Sequence, residues 1–221
     1  MIGQQPLLYF PFIGLLIGGF AAVVFYLANI YLPQPIAVLI SMCLTVLCTG
    51  ALHEDGLADS ADGMGGGWTV EDKLRIMKDS RIGTYGTLAL VFATLLKFVA
   101  LSSLPLSHMT AALICAHVLA RWSALPLLWF SSYVGSGSAT GFGDSKNRKR
   151  LILASGYTAL IVVFFASQHA LLSLSVALLV TVASYRYFRK KLGGVTGDSL
   201  GAANQLIEIA IYLVFLSGST V

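Results

Sequence analysis

Positions 151–185 carry no Asp, Glu, Lys or Arg and are mostly apolar. A helix that crosses a bilayer needs about 20 predominantly apolar residues. The run is therefore too long for one crossing and too apolar for a soluble surface. We divide it at Ser167-Gln168-His169 into helices at 151–167 and 170–185. Five further apolar runs lie at 8–32, 35–52, 85–104, 109–133 and 199–218. With 57% hydrophobic and 11% charged residues and a mean hydropathy of +0.81, a soluble domain is excluded. The expected fold is all-α: a polytopic integral membrane bundle of about seven transmembrane helices, one domain over 1–221.

Charge distribution gives an orientation. Twelve of the fourteen Lys and Arg fall in three loops, at 73–81, 146–150 and 186–191, and the turns between them carry none. The positive-inside bias puts these loops and the N-terminus in the cytoplasm and the C-terminus outside. The net charge of +4 then reflects topology, with basic clusters anchoring to anionic lipid, and no nucleic-acid partner is expected. The first apolar run lacks a basic leader and a small-residue cleavage site, so no removable signal peptide is expected. Cys43, Cys48 and Cys115 fall inside apolar runs without paired spacing and read as small core residues.

Against this background the acidic residues stand out. Seven of ten lie between positions 54 and 79. In a helix Asp55, Asp59 and Asp62, at i, i+4 and i+7, share one face about 40–60° wide. Crowded carboxylates repel unless a cation shares them, and hard divalent cations such as Mg²⁺ take oxygen ligands. We expect Asp55, Asp59 and Asp62 to form a cytoplasmic metal platform, with Asp59 and Asp62 as leading ligands. Gly65-Gly66-Gly67 follow; glycines expose backbone N–H groups to phosphate oxygens, or simply link. Carboxylates, glycines and cations together suit a metal-bridged diphosphate, with Arg81 among the candidate substrate contacts. Either Asp79 or Glu54 is the expected proton acceptor, with His53 a weaker candidate.

Lys97, Arg121 and Glu208 fall inside apolar runs, where each costs about 2.5–3.5 kcal/mol unless it meets a partner or a polar cavity. We expect Lys97 or Arg121 to reach substrate phosphate, Glu208 to pair with one of them, and His117 to line the same cavity. The Gly-rich SGSATGFGD at 136–144 reads as a lid or an ordinary linker.

Two resemblances follow. Asp59-x-x-Asp62-Gly63 resembles the opening of the CDP-alcohol phosphotransferase motif, but Gly66-Gly67 replace its Ala-Arg and its second half is missing in register. The segments LHEDGLADSADGMGGG at 52–67 and KDSRIGTYG at 78–86 resemble the cobalamin synthase (adenosylcobinamide-GDP ribazoletransferase) family far more closely. So do YFPFIG at 9–14, Lys97 and GGVTGDSLGA at 193–202. This resemblance runs from about position 8 to the C-terminus and implies a multi-helix inner-membrane enzyme. Such an enzyme joins adenosylcobinamide-GDP to α-ribazole or its 5′-phosphate, with Mg²⁺, and releases GMP. It also favours a substrate contact at Asp198 over an N-cap role, and Asn204, just beyond that motif, is a further candidate substrate contact.

Family members carry a further stretch before the Phe-Pro opening, where this sequence has only Met1 to Leu8, and Cys where this chain has Ser199. A homo-oligomer, or a complex with other cobalamin-assembly enzymes, stays open. The alternatives are a CDP-alcohol phosphotransferase-like enzyme and a non-enzymatic membrane carrier.

Overall fold

A computed structural model describes residues 6–134 and 147–217. Lys146 and the Gly-rich stretch at 136–144 lie outside the described residues. Every regular element among the described residues is helical. A 3₁₀ turn at Pro6–Tyr9 leads into α1 (Phe10–Asn29), followed by α2 (Gln34–Thr49), α3 (Leu52–Gly66), α4 (Val70–Ile76) and α5 (Thr84–Ser102). Then come α6 (Leu106–Phe130), α7 (Arg148–Ala166), a 3₁₀ turn at Ser167–His169, α8 (Ala170–Leu192) and α9 (Gly197–Ser217).

All seven apolar runs are helices. By length and composition, however, five helical stretches qualify to cross a membrane, or six when α2 and α3 count as one bent span. The difference from seven has two physical sources. α2 has only 16 residues and is followed by an 85° bend. The stretch Arg148–Leu192 is helical over 45 residues and counts once, although the 3₁₀ turn at Ser167–His169 divides it. Straight, it would reach about 67 Å, more than twice the hydrocarbon thickness of a bilayer. Instead Ser167 takes φ +47°, and α7 and α8 pack against each other and both against α6.

α6 is the centre of the bundle. It is buried almost throughout, as a helix surrounded by others must be, and is mostly apolar apart from the side that carries His117 and Arg121. α1 approaches it through Gly14 and Gly18, where a β-carbon would strike the backbone of His117 and of Ile114. Two small residues four apart let helix backbones meet closely in a membrane. The outer helices turn large apolar side chains outwards, among them Leu16, Val23, Phe92, Leu160, Phe164, Leu171 and Leu179. That surface suits lipid and not water.

The turn into α3 sets up the site. Gly50 and Ala51 both adopt left-handed backbone (φ +65° and +57°), which reverses the local helical path and swings α3 to 85° from α2. Left-handed backbone is costly for alanine, which has a β-carbon, and such strain clusters at functional sites. With 15 residues and four carboxylates, α3 is by itself neither long nor apolar enough to cross a membrane. It packs on α9 by glycine contact: a β-carbon at Gly56 would meet the Asp198 backbone, and Gly201 faces Gly56 and His53.

Candidate active site

Successive residues of α3 face different surroundings. Asp55 is exposed, Asp59 and Asp62 are half-buried, and His53 and Glu54 point into the bundle. Burial, then the charges of Asp55, Asp198 and Asp62, push the Asp59 carboxyl from 3.8 up to about 7. Asp198, in the first turn of α9, thus joins the acidic group from the far end of the sequence.

Asp62 has a different task. Its Oδ2 accepts from Gly83 N at 2.7 Å and its Oδ1 from Gly86 N at 2.8 Å. Gly83 is the N-cap of α5, so Asp62 satisfies the open N–H groups at that helix start and complements its dipole. A β-carbon at either glycine would overlap the Asp62 carboxylate. This explains glycine at both places in KDSRIGTYG.

The Gly65–67 run is likewise a packing feature. Gly65 lies against the Tyr85 ring and Gly67 against Lys73, whose Nζ donates to Trp68 O at 2.9 Å. Asp79 and Arg81 form an exposed two-point pair (Arg81 Nε to Oδ1 3.1 Å, Nη2 to Oδ2 2.8 Å). Those hydrogen bonds hold the Asp79 carboxyl down to about 2, which makes it a poor proton acceptor.

Behind α3 lies a polar cavity of about 40 Å³, room for a few waters, walled by α1, α2, α3, α5, α6 and α9. Lys97 Nζ stands 3.0 Å from Glu208 Oε2 and 3.9 Å from Glu54 Oε1, and donates to Gln205 Oε1. The Gln205 amide in turn donates to Glu54 Oε1 at 3.0 Å. Glu208 Oε1 lies 2.8 Å from His117 Nδ1 and 3.7 Å from Arg121. The expected pairing of Glu208 is therefore present, with both buried cations at once. Lys97 and Arg121 face carboxylates here. Glu54 Oε2 and Asn204 Oδ1 are buried without a hydrogen-bond partner.

Sequence reasoning missed Gln205. Its signal was position: three residues before Glu208, hence on the same face of α9.

The late motif builds the start of α9. Ser199 N donates to Thr196 Oγ1 at 3.1 Å, and Thr196 N donates to Ser199 Oγ at 2.8 Å, a reciprocal cap. Val195 bonds to Ser132 and Val134, tying this turn to the end of α6.

Among the described residues no three His, Cys, Asp or Glu side chains are arranged to close around a metal ion. The donor chemistry nevertheless fits Mg²⁺. Asp55, Asp59 and Asp198 are oxygen donors whose mutual repulsion raises Asp59, and none of the three has a recorded cation partner among the described residues. Magnesium is commonly held by one or two carboxylates, with substrate phosphate and water completing its shell.

The cobalamin-5-phosphate synthase family model matches residues 3–216. The chain belongs to this family. An adenosylcobinamide-GDP ribazoletransferase of Shewanella frigidimarina is 46% identical over 218 residues, 95% of this chain and 82% of the relative. That of Shewanella woodyi is 42% identical over 96% of this chain and 84% of the relative. That of Shewanella putrefaciens is 44% identical over 94% and 82%. No solved structure matches. In this chain Ser199 fills the cap position with a good hydrogen-bond acceptor, a role a thiol fills only weakly.

Proposed function

We propose that this chain is a membrane transferase that joins adenosylcobinamide-GDP to α-ribazole or α-ribazole 5′-phosphate and releases GMP. The observation that carries the reading is identity of 42–46% along nearly the whole chain to relatives bearing that activity in their names. It favours this reaction over a CDP-alcohol phosphotransferase and over a carrier.

The ribazole hydroxyl oxygen forms a bond to the phosphorus nearest cobinamide, the bond from that phosphorus to the GMP oxygen breaks, and the hydroxyl proton passes to a carboxylate. Asp59, Asp55 and Asp198 would hold Mg²⁺, which when bound neutralises charge on the diphosphate. Asp62 supports them by fixing the start of α5 against α3.

Glu54 is the better placed proton acceptor of the two candidates. Its Oε1 is held by Gln205, its Oε2 is unpartnered, and Asp79 is engaged by Arg81. Glu54 also sits one residue from Asp55 on the same helix. Asn204, with a buried unpartnered Oδ1, is a candidate substrate contact. Lys97 and Arg121 act through Glu208 and Glu54, holding α3 in place. The basic loops support a cytoplasmic position for α3 in the inner membrane.

The test is GMP release by purified protein given both substrates and Mg²⁺, beside Asp59→Asn and an EDTA control. Release that needs both substrates, and is lost with EDTA and in the variant, supports the reading. No release from folded protein overturns it.

A further inference from the structure

We infer that a groove between α3, α8 and α9 binds one anionic phospholipid. The groove has a volume of about 600 Å³ and is lined by Leu57 and Met64 of α3, Val180 and Tyr187 of α8, and Ala202 and Leu206 of α9. From Val180 to Phe188 it follows α8 for about 12 Å. Apart from the Ser60 and Ser184 hydroxyls its walls are apolar, and a cavity so walled favours an apolar body over water. Tyr187 and Leu206 are 46% and 44% exposed, so the groove opens sideways. Beside it α8 presents Leu178, Leu179 and Val182 outwards, a continuation of the lipid-facing surface.

Two features make this a site for a particular lipid and not merely a wetted face of the bundle. Ser60 lines the groove and is 4% exposed, and its Oγ has no hydrogen-bond partner. A hydroxyl buried in this way suits the ester carbonyl of a glycerolipid. The second feature is charge. Lys191 lies three and four residues beyond Phe188 and Tyr187, hence on the groove face one turn further along α8.

Arg186 and Lys190 flank Lys191, and all three are exposed without an ion pair among the described residues. Arg189 is turned back to the Tyr185 hydroxyl at 2.6 Å. An acyl chain in the groove would thus carry its head-group phosphate to unpartnered cations. The acidic edge of α3 lies on roughly the opposite side of that helix from Leu57 and Ala61. On the proposed function a diphosphate substrate meets its charges there, whereas the groove offers a chain mainly apolar walls.

The experiment is native mass spectrometry of the detergent-purified protein titrated with phosphatidylglycerol, phosphatidylcholine or glycerol phosphate. The expected result is one retained phosphatidylglycerol in preference to phosphatidylcholine, with about fivefold lost for each cation removed in Arg186→Gln, Lys190→Gln and Lys191→Gln. Ala183→Phe, which places a ring in the groove from an exposed position, should abolish retention of both lipids. The inference is overturned if both lipids bind equally, if the Gln variants keep the preference, or if Ala183→Phe still retains lipid. Displacement by glycerol phosphate would overturn it too, by assigning the cations to free phosphate. The Gln variants alter only exposed side chains, so their result stands even where Ala183→Phe misfolds.

Discussion

Glu208→Gln is the substitution that best probes the buried charge cluster. The change keeps shape and removes one negative charge from a side chain that is 3% exposed. Lys97 and Arg121, both buried, would then share the more distant Glu54 at 3.9 Å from Lys97. Breaking a buried ion pair by removing one partner costs about 3–5 kcal/mol, because the remaining charge stays desolvated. For a chain of this size each kcal/mol shifts Tm by about 2–4 °C, so the variant should melt about 6–20 °C lower. Lys97→Met should cost a similar amount, since it leaves Glu208 short of a partner.

The double variant is the decisive arm. With one charge of each sign gone, it should cost about 2–3 kcal/mol less than the sum of the singles, the size of coupling seen between residues in direct contact. The assay is thermal unfolding in detergent followed by size-exclusion fluorescence, alongside GMP release. Single-variant effects that add within about 0.5 kcal/mol would refute the reasoning. So would a double variant with restored Tm and no activity, since Lys97 would then be meeting substrate.

Three further outcomes are expected. Asp59 is raised to about 7 from 3.8, so between these values the unfolded chain ionises while the folded one keeps its proton. In EDTA, stability should fall as pH rises from about 4 to 7, and Asp59→Asn should flatten that slope in a Tm-against-pH series. Asp62→Ala should cost about 1–2 kcal/mol as a lost cap, and Asp62→Asn should keep far more Mg²⁺-dependent GMP release than Asp59→Asn. Equal loss in both Asn variants at unchanged Tm would make Asp62 a ligand. Ser199→Ala should lower stability by about 1 kcal/mol by removing half of the reciprocal cap, measured as a Tm shift, with Ser199→Thr retaining part of it.

The helical architecture was legible in the sequence because lipid imposes a simple requirement on composition. Seven apolar runs became helices close to the expected bounds, and the polar triplet at Ser167–His169 did mark a reversal. What could not be read was tertiary. Nothing in Gly50-Ala51 announces that alanine as well as glycine takes left-handed backbone, yet the 85° turn depends on it.

The i, i+4, i+7 pattern grouped Asp62 with Asp55 and Asp59, and its charge does act on Asp59, but a helical wheel treats α3 as isolated. The arrival of Gly83 and Gly86 claims both Asp62 oxygens. Asp198 reaches the acidic group only because Gly56 and Gly201 let α3 and α9 touch. Gln205 was missed because a neutral amide inside an apolar run carries no charge signal.

The neighbours Glu54 and Asp55 connect the two halves of the site. They are about 100° apart around α3, and one points to the buried Lys97 and Gln205 while the other is exposed. Glycine contact sets how closely α3 approaches α9 but leaves its rotation loosely determined, since glycine offers no side chain to interlock. The Glu54–Gln205–Lys97 contacts supply that missing constraint. Rotating α3 by one residue would put Asp55 in Glu54's place, one methylene too short to keep the contacts with Gln205 and Lys97, in a cavity with room for only a few waters. The cost of burying an unpaired carboxylate forbids that rotation. On this argument the charges within the bundle fix the rotation of α3, and Lys97, Gln205 and Glu208 aim its acidic edge outwards without being part of that edge.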